Sequence, residues 1–129
     1  MVAVDTNVLV RLLIGDDAAQ CKASEALFQS GDIYISNTVL LETEWVLRGA
    51  FDLSRAEVCV AMRGVLGLPN VSVADGLLVA QVIDWHEAGV DFADAFHLAL
   101  GRDQEALKTF DTDLIKLAKK LTDHRVERP

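Results

Sequence analysis

Short apolar runs alternate along the chain with longer stretches of helical spacing. Val2, Ala3 and Val4 read as a brief strand that stops at Asp5. From Thr6 to Ile14, the residues Val8, Leu9, Leu12 and Leu13 fall on one side of a helix. Asp16 and Asp17 offer a cap for a second helix that reaches about Gln29 and closes at Ser30-Gly31. Ile33 to Ile35 predicts a second strand, and Ser36-Asn37-Thr38 caps a helix running to about Ala50. Ser54, with Glu57 three residues on, reads as a capping box for a helix that ends at Gly67-Leu68-Pro69. Val71 to Val73 is a third strand. Asp75 opens a helix that runs to about Glu87 and is terminated by Gly89, and Asp91 opens another to about Arg102. Lys108 to Phe110 is a fourth strand ending at Asp111, Leu114 to Leu121 a last helix, and Val126 the seat of a fifth strand.

Strands of this kind, separated by helices, imply βαβ units and a parallel sheet covered on both faces. In such sheets the ligand crevice lies beyond the carboxyl ends of the strands. The 129 residues fit one domain over 1–129, with no Pro/Gly/Ser-rich stretch to act as a linker. The 51% hydrophobic and 25% charged fractions are those of a globular chain rather than a disordered one. No apolar run nears the roughly 20 residues that span a bilayer. Asp5 sits where the apolar core of a signal peptide would begin, so a cytoplasmic location is expected. Cys21 and Cys59 lack metal-type spacing, and two cysteines make no disulfide framework.

The net charge of −8 does not favour nucleic acid in bulk. It is unevenly spread. Residues 116–129 hold five basic and two acidic side chains, a net +3, which leaves −11 for the rest. Either those carboxylates are scattered over solvent or some converge on a cation.

Four carboxylates stand apart. Asp5 and Asp111 each follow a strand directly. A helix-capping role accounts for either one alone, but two strand ends with the same residue favour a shared crevice. Glu42 shares a helix side with Val39, Trp45, Val46 and Gly49, which predicts partial shielding, although Leu40, Leu41 and Leu47 make the opposite side apolar too. Glu44 points that other way. Asp94 is three residues past Asp91, the better cap, and so lies at the mouth of the sheet. Several carboxylates aimed at one place need a cation, and hard oxygen ligands suit Mg²⁺ or Mn²⁺. Such ions activate water and bear charge in phosphodiester hydrolysis. Arg11 and the C-terminal Lys and Arg residues serve either as phosphate contacts or as a solvated face.

Other chemistries lack their parts. His86, His97 and His124 have no ligand spacing with a cysteine, and no dinucleotide, P-loop or nucleophile-elbow motif occurs. Trp45 and Trp85 are expected in core or interface packing. A haloacid-dehalogenase-like phosphohydrolase wants Asp-x-Asp where this chain has Asn7. A receiver-like signalling domain wants paired acids that Asp5 does not supply.

Asp-Thr-Asn after the first strand, Val-Leu-Leu-Glu-x-x-Trp-Val-Leu on the third helix, Asp-Phe-Ala-Asp-Ala opening a late helix and Thr-Phe-Asp-x-Asp-Leu ending a late strand occur in this order. The set resembles a PIN domain, and within that group the VapC-type ribonuclease toxins of toxin–antitoxin modules. The resemblance implies a three-layer α/β/α sandwich around a central parallel sheet. It implies an endoribonuclease dependent on Mg²⁺ or Mn²⁺, an RNA substrate, a cognate antitoxin protein and a homodimer. Carried over, the metal-binding and catalytic quartet is Asp5, Glu42, Asp94 and Asp111. Asn7 and Thr6 would support Asp5 by hydrogen bonds, and Asp113 is a spare carboxylate. A PIN-like protein that binds RNA or a partner without cutting is the other reading.

Overall fold

The computed structural model describes residues 1–129. The chain falls into two compact units, Met1–Gly76 and Leu77–Pro129.

The first unit contains β1 (Val2–Ala3), α1 (Thr6–Leu13), α2 (Ala18–Ser30), β2 (Ile33–Tyr34), α3 (Asn37–Gly49), α4 (Arg55–Leu66) and β3 (Val71–Ser72). Its three strands form a parallel sheet in the order β1-β2-β3, with Val2 beside Ile33 and Ile33 beside Val71. Each helix starts where a short polar side chain captures an amide of its first turn. Asp17 accepts from Gln20, Ser36 from Val39, and Ser54 with Glu57 closes the predicted capping box. Asn70 donates to the carbonyls of Phe28 (2.6 Å) and Gly31 (2.7 Å), which ties the end of α2 to the start of β3. Leu9, Ile33, Ile35, Leu40, Leu47 and Met62 are fully buried, and α1 packs on both α2 and α3.

The second unit contains α5 (Gly76–Glu87), α6 (Phe92–Leu100), β4 (Leu107–Lys108), α7 (Thr112–Leu121) and β5 (Val126–Glu127), with β4 and β5 parallel. Gly89, at φ +122°, makes the turn out of α5 that a side chain would strain. Its core is built on Val79, Val82, Phe92, Phe96 and Leu98. The His86, Phe92 and Phe96 rings stack edge to face in series, at 5.1 and 5.4 Å. His86 is buried, with Nδ1 2.7 Å from the Val90 carbonyl, so Nδ1 carries the proton and donates.

The fold class is α/β, with every strand pair parallel. The fourth strand lies earlier than its spacing predicts, at Leu107–Lys108, because Asp111 caps α7 and the chain must turn before it. Trp85 is buried, with its ring edge-on to His124. Trp45 is not core: it is 65% exposed.

Ion pairs hold the β4–β5 edge. Glu127 accepts from Arg125 at 3.0 Å and is also paired with Lys108. Those hydrogen bonds, Arg125's first, hold its carboxyl down at about 2. A carboxyl lowered on folding stabilises the protein above its unfolded value and loses that contribution as pH falls through the folded one. The thermal midpoint should therefore fall between about pH 4.5 and pH 2. Glu127→Gln should flatten that segment of the profile. An unchanged profile would show that these pairs add nothing.

Candidate functional site

In the first unit, Asp5 follows β1 and is the N-cap of α1, with Oδ1 accepting from the Val8 amide at 3.0 Å. Capping and site roles are thus compatible, because the cap uses Oδ1 and a carboxylate has a second oxygen. Asp5 and Glu42 line one cavity of about 460 Å³, together with Thr6, Asn7, Arg11, Val46 and Phe51. The packing of α1 on α3 places these two acids on common walls. Asn7 does not reach Asp5. Its Nδ2 lies 3.5 Å from Gln20 Oε1, and Thr6 is buried.

Gln20 Oε1 also accepts from Arg11 Nε at 2.7 Å, and Arg11 Nη1 donates to Asp16 at 2.6 Å. The guanidinium is therefore fixed at the cavity wall. Sequence reasoning did not single out Gln20 or Phe51. Gln20 carries no local signal, since its bond to Arg11 exists only because α1 and α2 pack together. Phe51 is placed by the turn after α3, where Asp52 adopts φ +54°, a conformation Asp tolerates better than most residues.

The expected shielding of Glu42 is not found; the residue is exposed. The buried side of α3 carries Leu40, Thr43, Glu44 and Leu47. Glu44 is only 3% exposed and accepts from Arg48 Nε, one turn later, at 3.0 Å. A charge is tolerated on the buried side because its partner is there. Glu42 has no such partner and stays on the open side.

In the second unit, Asp91 is the N-cap of α6, accepting from the Asp94 amide at 3.3 Å, and Asp111 is the N-cap of α7, accepting from Leu114 at 3.0 Å. Asp94 is half-buried at the third helical position. Burial raises its carboxyl above the ordinary range, Asp91 and then Asp111 push it further, and His97 pulls weakly the other way. Asp113 sits in the first turn of α7, exposed.

No three His, Cys, Asp or Glu side chains stand close enough together to hold a metal ion. The donor chemistry nonetheless suits a hard cation. Each unit presents carboxylates that no Lys or Arg pairs with, and in the second unit burial first, then Asp91 and Asp111, raise the Asp94 carboxyl.

Residues 2–120 match the PIN domain family. The chain belongs to the PIN domain family. The match runs through both units, so this PIN domain is not confined to either one. PIN domains are generally nucleases that depend on divalent metal ions, and membership sets the chain apart from the haloacid-dehalogenase alternative. Comparison with curated proteins and with solved structures finds no match. No helix of this PIN domain is long and apolar enough to cross a membrane.

Proposed function

We propose that the protein is an endoribonuclease that requires Mg²⁺ or Mn²⁺ and acts as the toxin of a toxin–antitoxin pair. The observation that carries this reading is Asp94, half-buried at the start of α6 in a member of a nuclease family, with its carboxyl raised by burial and then by Asp91 and Asp111. A half-buried carboxylate near two exposed ones is disfavoured in its ionised form, and a bound cation would remove that penalty.

In this reading Asp5 and Glu42 of the first unit, and Asp94 and Asp111 of the second, are the carboxylates that would serve as metal ligands, and the chain 1–129 works as one domain. When bound, the ion supplies an activated water and neutralises charge on the phosphate. The residues of the chain do the rest. The Val8 and Leu114 amides fix one oxygen each of Asp5 and Asp111, so these side chains meet a ligand already oriented. Arg11, held by Gln20 and Asp16, presents its remaining N–H groups to a phosphate of the substrate. The toxin role brings a cognate antitoxin protein and a second copy of the chain. The exposed Trp45 is the type of side chain that protein interfaces bury.

The test is cleavage of structured and single-stranded RNA by the purified chain. Mg²⁺ or Mn²⁺ should support cleavage, a chelator should stop it, and the added ion should restore it. RNA binding without cleavage under either ion would select the non-cutting PIN reading instead.

A further inference from the structure

The β4–β5 sheet delivers two strand ends to one place. The Thr109 amide donates to the Glu127 carbonyl at 3.0 Å, and the strands run parallel. Both therefore leave the sheet at the same edge, one through Phe110 into Asp111, the other through Arg128. Arg128 Nη2 donates to Thr112 Oγ1 at 2.7 Å, one residue past Asp111. Arg125 and Lys108 are taken up by Glu127, whereas Arg128 has no carboxylate in ion-pair range. Phe110 is 76% exposed, in a turn fixed by the Asp111 amide donating to Thr109 Oγ1 at 3.0 Å. An exposed aromatic ring and an unneutralised guanidinium thus flank a carboxylate of the quartet. Arg128 lies outside residues 2–120, the span of the family match.

We propose that Phe110 and Arg128 form a nucleotide subsite, in which one unstacked base of single-stranded RNA lies on the Phe110 ring and the adjoining phosphate is bound by Arg128. The inference rests on the ribonuclease reading for its choice of ligand. The chemistry is specific to the pair. A phenyl face stacks on any base that is free of a duplex. A guanidinium tethered at one nitrogen keeps its remaining N–H groups for a phosphate fork. The +3 charge of residues 116–129, in a chain of net −8, makes this the segment to which a polyanion is drawn. The subsite positions the strand beside Asp111; it does not itself react.

The experiment is binding of a short fluorescent single-stranded RNA to the full chain with a chelator present, so that affinity is read without cleavage. Phe110→Ala and Arg128→Ala should each weaken binding about tenfold. Phe110→Trp should restore it. Arg128→Ala should also lower the salt slope of the affinity by about 0.7, which Phe110→Ala should not do. Duplex RNA should be indifferent to Phe110→Ala. Wild-type affinity in both alanine variants overturns the subsite, as does a Phe110→Ala chain that changes only its state of association. If the variants lose affinity in this pattern yet the wild type never cuts RNA with Mg²⁺ or Mn²⁺, the subsite stands and the nuclease reading falls.

Discussion

Asp94→Asn should lower metal-dependent RNA cleavage by at least about a hundredfold, because the charge stabilisation supplied through a metal ligand is worth several kcal/mol. The same change should leave the metal-free protein folded and slightly more stable. Its carboxyl is raised by burial and by Asp91 and Asp111, so in the ionised form it opposes folding at pH 7. Asparagine keeps the shape and removes the repulsion. Solvent screens part of the effect, and a gain of about 1–3 °C in thermal midpoint is expected. Calorimetry in chelator and cleavage in Mg²⁺, on the same preparation, test the two halves together. Undiminished cleavage would remove Asp94 from the site. A lower midpoint would show that its charge at the start of α6 stabilises the helix more than the neighbouring acids destabilise it.

Phe92→Ala should produce the largest loss of stability. The side chain is 1% exposed and lies between the His86 and Phe96 rings. Truncating a buried Phe costs about 3–5 kcal/mol through lost transfer energy and the cavity left behind. Domains have about 5–15 kcal/mol in total. The thermal midpoint should fall by about 10–20 °C. Leu77→Ala is the matched control, because Leu77 is 87% exposed and should be silent. A drop of under about 3 °C for Phe92→Ala would mean that the start of α6 is not packed. Because Phe92 stands between Asp91 and Asp94, its loss should also loosen the acid pair.

What was readable from the chain was what local chemistry decides. The caps Asp17, Ser36, Ser54 and Asp91 begin their helices as predicted, because an N-cap needs only its own side chain and an amide two or three residues on. The parallel pairing followed from alternating strands and helices. The orientation of α3 was less accessible. Two of its sides are apolar in sequence, and burial of Glu44 instead of Glu42 depends on Arg48 folding back over it. The hold of Gln20 on Arg11 depends on α1 meeting α2, which no local pattern encodes.

The capping of α1 by Asp5 and of α7 by Asp111 bears on which cation the proposed ligands would select. An oxygen already accepting a helix amide is poorly placed to chelate, so each of these residues offers a cation one atom rather than two. Calcium takes about six to eight oxygens and favours two-pronged carboxylates. Magnesium retains much of its own hydration and asks a protein for only one or two such anchors. Under the proposed ligand set, calcium should compete weakly for this protein and support little turnover.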